Sequence, residues 1–84
     1  MISISLYSRP GCHLCDDMKA VVDRVARTVP LEVEIIDVSA DPALEARYGL
    51  EVPVLAIDGK KAAKYRVSEE DLRRMVLARR GPAG

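Results

Sequence analysis

The chain has no tryptophan and no phenylalanine, contains one histidine, and carries as many acidic as basic residues among its 84 positions. Without the two bulkiest apolar side chains, the core has to be built from valine, leucine, isoleucine, alanine and methionine. The formal net charge of zero provides no basic surface of the kind that binds nucleic acid or an anionic membrane. We therefore expect neither among the partners.

Two further absences concern location. No apolar run is long enough to cross a bilayer, and the opening MISISLYSRPGC has neither the charged start nor the long apolar centre of a signal peptide. These absences predict a cytoplasmic protein, and the length predicts a single domain over residues 1–84, which we expect to be a monomer. Because the cytosol keeps thiols reduced, its two cysteines are expected to be redox-active or metal-binding rather than a permanent bridge.

Alternation of apolar residues and helical spacing predict the element order βαβαββα. The predicted strands cover residues 2–7, 31–38, 52–57 and 60–67, and the predicted helices cover residues 13–29, 42–48 and 69–80. The short joints of the first strand–helix–strand unit imply parallel strands, and Asp58-Gly59 predicts a hairpin between the last two strands. The predicted fold class is α/β, with a four-stranded mixed sheet flanked by three helices.

Local residues also predict where the helices begin and end. Asp41 and Ser68 are suited to capping helix N-termini, and Gly49 fits the end of the second helix. Gly81-Pro82 is expected to end the last helix and to be followed by a frayed tail. The alternation in the last strand places three side chains on one of its faces, namely Ala63, Tyr65 and Val67.

Cys12 and Cys15 have the C-x-x-C spacing and lie where the first strand hands over to the first helix. Residues three apart share a helix face, so the two sulfurs can reach disulfide distance. Cys12 falls at the cap or first turn, where free N–H groups and the helix dipole favour a thiolate. Cys15 lies on the same stripe as Met18 and should be more buried. This asymmetry predicts that Cys12 attacks a substrate disulfide and that Cys15 resolves the mixed disulfide.

Two other interpretations of the cysteines compete with this one. Two ordinary buried cysteines would fit poorly, because Cys12 falls at a turn rather than in a periodic stripe. A zinc site usually takes four ligands, whereas this chain offers two cysteines and His13 between them, so we expect no metal site within one chain and no tightly bound cofactor. Ligation shared between chains leaves open a non-enzymatic carrier or redox sensor that holds an iron–sulfur cluster at Cys12. A further alternative is a binding module of the same fold without turnover, whose partners the sequence does not rank.

The segment 6–15, LYSRPGCHLC, resembles the active-site segment of glutaredoxins and of the small glutaredoxin-like proteins with a Cys-x-Leu-Cys site. The segment 48–53, YGLEVP, resembles the thioredoxin-superfamily segment that leads into its cis-proline. Together with the element order, the resemblance covers nearly the whole chain. It implies a thioredoxin fold and a dithiol oxidoreductase that reduces protein or glutathione mixed disulfides. The implied partners are disulfide-containing proteins, glutathione as a reductant, or a reductase.

The resemblance also implies roles for individual residues. The Val52–Pro53 bond should be cis and face the cysteines, and the Val52 backbone should pair with the substrate; residue statistics alone favour an ordinary strand-start proline. Arg9 stands where glutaredoxins commonly carry a lysine that helps bind glutathione, although a solvated loop cation fits the sequence equally well. A cationic His13 would further favour the Cys12 thiolate, whereas an exposed helix-start residue without a role is the alternative.

The sequence departs from the glutaredoxin pattern at two places. His13-Leu14 stands between the cysteines where most glutaredoxins have Pro-Tyr, and the segment 62–65, AAKY, replaces the Gly-Gly pair that holds glutathione. Specific glutathione binding therefore does not follow from the resemblance. The Trp-Cys-Gly-Pro-Cys site of thioredoxins is absent too, so an ordinary thioredoxin role is equally unsupported.

Overall fold

The computed structural model describes residues 2–80, and the predicted βαβαββα order is confirmed there. The strands are β1 (Ile2–Ser8), β2 (Leu31–Asp37), β3 (Val54–Ile57) and β4 (Lys60–Lys64). The helices are α1 (His13–Ala26), α2 (Pro42–Tyr48) and α3 (Glu69–Arg80), with a short 3-10 helix at Val38–Ala40 that the sequence did not predict.

The four strands form one mixed sheet in the order β2-β1-β3-β4. β1 runs parallel to β2 and antiparallel to β3, which is antiparallel to β4. In this register Tyr7 of β1 lies opposite Val54 of β3, and Val54 lies opposite Lys64 of β4. The end of β1, the start of β3 and the end of β4 therefore meet at one end of the sheet, to which the loop carrying Cys12 also belongs.

The core fills the space between one face of the sheet and the helices α1 and α3. Apolar side chains alternate along β1 and face the apolar stripes of both helices, as the strand and helix periods predict. The buried cluster is aliphatic throughout and comprises Ile2, Ile4, Leu6, Met18, Val21, Val22, Val25, Val29, Leu55, Ile57, Leu72 and Val76. In a chain without tryptophan or phenylalanine, this cluster is therefore built from aliphatic side chains and one methionine.

Helix α2 packs on the opposite face of the sheet, near the end of β1. Tyr7 points to this side because it alternates with the core residues of β1, and its ring stacks on Tyr48 of α2 with the ring centroids 4.4 Å apart. Val38 and Val54 are fully buried. The helices therefore lie on both faces of the sheet, and the end of α2 lies against the end of β1.

Two predicted elements end earlier than expected. Helix α1 stops at Ala26 rather than Val29, because the N–H groups of Thr28 and Val29 both donate to the Val25 carbonyl and close a turn before Pro30. Strand β4 stops at Lys64 rather than at residue 67, because Tyr65 adopts a left-handed backbone with φ of 68°. The alternation predicted through Tyr65 to Val67 is therefore wrong.

The other boundaries lie within two residues of the prediction. β3 begins at Val54 instead of Val52, and β2 passes into the 3-10 helix before Val38. The predicted N-caps are confirmed: the Ala43 N–H donates to Asp41 and the Asp71 N–H donates to Ser68. The predicted stop at Gly81-Pro82 and the tail after it lie outside the described residues.

The β3–β4 turn is fastened to its surroundings through Asp58. Asp58 and Gly59 both have positive φ, which the tight two-residue turn requires. The Asp58 N–H donates to the Ser3 carbonyl at 2.8 Å, and its carboxylate accepts the Ser3 N–H at 3.0 Å and the Arg79 Nε–H at 3.2 Å. The bonds from Ser3 and then from Arg79 lower the pKa of Asp58 below its ordinary value of 3.8.

We expect acid to weaken the fold through this carboxylate. Because the pKa of Asp58 is lowered in the folded state, the stabilisation is complete above the ordinary value and is lost as the pH falls through the lowered one. Asp58→Asn keeps an acceptor oxygen and tolerates the left-handed backbone, so it removes mainly the charge. Thermal unfolding should show a lower Tm for Asp58→Asn at pH 7 and a smaller fall in Tm on acidification. Equal pH profiles would contradict this role.

Candidate active site

Cys12 and Cys15 form a disulfide, with their Cα atoms 5.2 Å apart. Cys12 is the N-cap of α1: its backbone is extended, and its Sγ accepts the N–H of Cys15 at 3.1 Å. Cys15 is buried, with 5% of its surface exposed, whereas Cys12 is half-buried. The difference in exposure follows the stripe predicted from Met18, and it leaves Cys12 as the sulfur that a partner can approach.

The turn before Cys12 depends on Gly11. Its φ of 78° lies in the left-handed region, which glycine enters without the clash that a Cβ would cause. This turn separates the end of β1 from the first residue of α1 and directs the Cys12 side chain towards the helix start. Pro10 is exposed on the same loop, and its ring fixes its own φ and so restricts the loop conformation.

Arg9 connects this loop to α2. Its Nη2 donates to Glu45 at 2.6 Å and to the carbonyl of Gly49 at 3.1 Å. Its Nε is buried and has no hydrogen-bond partner among the described residues. The guanidinium is thus directed at α2, and the role in substrate binding that the resemblance implied for Arg9 stays a prediction.

Gly49 allows Arg9 to come this close. It ends α2 as predicted, although in a right-handed conformation with φ of −55°. A Cβ at this position would lie 2.5 Å from the Glu45 carbonyl oxygen and 2.9 Å from Arg9 Nη2. The glycine is therefore needed here for space. The sequence alone did not indicate that Arg9 would contact Glu45 and Gly49.

The Val52–Pro53 peptide bond is cis, with Pro53 buried and Val52 half-buried. The Pro53 carbonyl accepts the N–H of Tyr65 at 2.8 Å. The sheet register brings this segment to the same end of the sheet as Cys12. His13, the first residue of α1, is exposed. The roles of Val52, Pro53 and His13 towards a substrate or the thiolate stay predictions.

A hollow of about 250 Å³ lies between α1 and the ends of β1 and β2. Its wall includes Cys15, Leu6 and the exposed side of Ile35, with Asp16 and Lys19 at the rim. Across residues 2–80, no three histidine, cysteine or acidic side chains converge closely enough to hold a metal ion. Within the same residues, none of the helices combines the length and the apolarity needed to span a membrane.

A mixed β2-β1-β3-β4 sheet with helices on both faces, and a C-x-x-C disulfide at the start of the first helix, defines a thioredoxin-fold protein with a redox-capable cysteine pair. The sequence profile described as "Glutaredoxin-like domain (DUF836)" matches residues 3–77, and the chain belongs to this glutaredoxin-like family. The fold and family that the resemblance implied are thus confirmed.

Known proteins agree with this assignment. A thioredoxin of Methanocaldococcus jannaschii is 38% identical over 61 residues, which cover 69% of this chain and 72% of that protein. An X-ray structure of a structural-genomics protein from X. campestris has 32% identity and a TM-score of 0.72, covering 89% of this chain and 96% of that one. A mutant thioredoxin of Halobacterium salinarum has 25% identity and a TM-score of 0.67, covering 92% of this chain and 73% of that one. Together with the cysteine pair, these similarities support a redox function in general.

Gly49→Ala should disturb the loop before Cys12. The added Cβ would clash with Glu45 and Arg9, and overpacking of this kind costs about 1–3 kcal/mol of unfolding free energy. Urea unfolding measures this loss. In an Arg9→Ala background the clash with the guanidinium is gone, so the same substitution should cost less; strictly additive losses would show that Arg9 does not lie against Gly49.

Proposed function

We propose that this protein is a dithiol oxidoreductase that reduces protein or glutathione mixed disulfides through Cys12 and Cys15. The observation that carries the proposal is the half-buried Cys12 sulfur at the N-cap of α1, which receives the N–H of Cys15 at 3.1 Å. A donor and a helix N-terminus at this sulfur stabilise a thiolate over a thiol, and only the thiolate is a good nucleophile.

The first step starts from the reduced pair. The Cys12 thiolate attacks one sulfur of a substrate disulfide R–S–S–R′, so that a Cys12–S–R bond forms and the substrate S–S bond breaks. The R′–S⁻ leaving group takes up a proton from water. A cationic form of the exposed His13 would add to the stabilisation of the attacking thiolate, which is the role we propose for it.

The second step regenerates the state that the structure contains. Cys15, after losing its proton to water, attacks the Cys12 sulfur; the Cys12–Cys15 bond forms and R–S⁻ is released and protonated. In total the substrate gains two electrons and two protons, and the dithiol becomes the disulfide. Glutathione or a reductase dithiol can return the disulfide to the dithiol form. We propose that the protein works in the cytoplasm, where thiols are kept reduced.

Substrate positioning is assigned in this proposal to the segment beside the cysteines. Val52 precedes Pro53 at the end of the sheet to which Cys12 also belongs, and we assign to its backbone groups the pairing with an extended substrate segment. The contacts of Arg9 with Glu45 and Gly49 support a part in fixing the loop before Cys12. Both contacts use Nη2, so direct binding of a substrate by Arg9 would use another guanidinium nitrogen or displace Glu45.

Serine variants should separate the two cysteines. With pre-reduced protein and a disulfide substrate, Cys12→Ser should lower the rate to that of buffer alone, because the nucleophile is gone. Cys15→Ser should still attack once and accumulate a mixed disulfide at Cys12, which mass spectrometry detects as the added mass of one substrate half. Full activity of Cys12→Ser, or adduct formation at Cys15 in wild-type protein, would contradict the mechanism.

The cluster-carrier alternative makes a different prediction. If the protein is an oxidoreductase, material purified without oxygen should show no visible absorption bands, and its size-exclusion profile should not change on adding iron, sulfide and glutathione. Coloured protein whose bands disappear in Cys12→Ser, but not in Cys15→Ser, would favour a cluster held by Cys12. Circular dichroism of both variants controls for misfolding.

A further inference from the structure

Tyr65 occupies a backbone conformation that its residue type disfavours. Its φ is 68°, in the left-handed region where a side chain meets its own backbone, at a cost of about 1–2 kcal/mol. Asp58 is the other non-glycine residue with positive φ among the described residues. Aspartate tolerates this region, and the Asp58 carboxylate bonds to Ser3 and Arg79. For Tyr65 neither compensation exists.

The Tyr65 side chain lies outside the core of the fold. It is 43% exposed and does not belong to the buried cluster. The Lys64 ammonium lies 5.4 Å from the ring centroid, and an exposed cation–π pair of this kind contributes about 0.5–1 kcal/mol. Glycine would adopt the same backbone without strain. Strained residues of this kind are concentrated at functional sites, which makes the ring itself the feature to explain.

The position of Tyr65 relates it to the site. Its N–H donates to the Pro53 carbonyl, so its backbone continues the pairing of β3 with β4 next to the Val52–Pro53 segment. On its other side a hollow of about 300 Å³ separates it from α1, with Asp17, Met18 and Val21 in the facing wall. Tyr65 therefore lies between α1 and the segment that we assign to substrate positioning.

Exposed apolar side chains flank the Val52–Pro53 segment. Leu50, two residues before Val52, is 96% exposed. The Lys64 ammonium lies 3.7 Å from Glu51 and the Arg9 guanidinium is paired with Glu45, whereas Arg66, which lines the hollow beside Tyr65, forms no ion pair among the described residues. Exposed apolar side chains on both sides of Val52–Pro53 favour an extended polypeptide with an apolar side chain near its cystine.

We propose that Tyr65 is a specificity-determining residue whose ring contacts an apolar side chain next to the substrate cysteine, so that protein disulfides are preferred to small disulfides. The inference rests on the proposed function, because it requires that Cys12 react with a substrate lying along Val52–Pro53. It adds to that function a class of substrate and the residue that selects it.

The test uses pre-reduced protein and two oxidised peptides that are identical except for leucine or serine beside the cystine. Tyr65→Gly and Tyr65→Asn both tolerate the left-handed backbone but lack the ring. Each should lower the second-order rate constant for the leucine peptide about tenfold, the value of one aromatic contact, and leave the serine peptide within about twofold. Tyr65→Phe should keep the wild-type preference.

Controls separate the effect of losing the Tyr65 ring from a loss of stability and from a loss of the disulfide reaction itself. Leu77→Ala removes another exposed apolar side chain, 46% exposed on α3, and should change neither rate. Thermal unfolding of Tyr65→Gly should give a Tm at or above that of the wild type, because strain is removed. Equal losses for both peptides, or no loss for either, would overturn the role of Tyr65. If wild type and Cys12→Ser reduce both peptides at the same rate, the proposed function itself fails.

Discussion

The site depends on one contact: the N–H of Cys15 pointing at the sulfur of Cys12. Helices usually begin with a side-chain oxygen that accepts an N–H of the first turn, because these donors have no partner within the helix. Here a sulfur takes that place. The bond that completes the start of α1 is therefore also the bond that, in the proposed mechanism, stabilises the Cys12 thiolate. On that proposal, helix formation and cysteine reactivity depend on the same geometry.

That geometry has to be maintained by the loop that delivers Cys12, and the loop is held by contacts on the α2 side of the sheet. The stacking of Tyr7 on Tyr48 and the pairing of Arg9 with Glu45 join the end of β1 to α2. Ion pairs as exposed as this one contribute about 0–1 kcal/mol. The Arg9–Glu45 pair therefore adds little to the free energy of unfolding. Its effect, like that of the Tyr7–Tyr48 stack, is local, since both hold the end of β1 from which the loop leads to α1.

Features of the structure that arise from interactions between residues close in sequence could be predicted, and features that arise from distant residues could not. The alternation of β1, the stripe of α1 and the caps at Asp41 and Ser68 act within a few residues, and all of them are found in the structure. The partners of Arg9 lie 36 and 40 residues away, and the space required at Gly49 exists only because Arg9 arrives there. No periodicity in the sequence predicts these contacts of Arg9, because they follow from the way α2 packs on the sheet.

The segment that lacks the glutaredoxin Gly-Gly pair is also the segment that contains the strained residue Tyr65. From the sequence, the segment around residue 65 was notable because the Gly-Gly pair of glutaredoxins is absent there. In the structure this is the segment where β4 ends in a left-handed residue beside Pro53. A glycine would meet the backbone requirement and leave the surface open, whereas a tyrosine meets it under strain and adds a ring. The choice of residue thus changes the surface beside Pro53 without changing the fold, and on our proposal it is through such a surface residue that one scaffold takes different substrates.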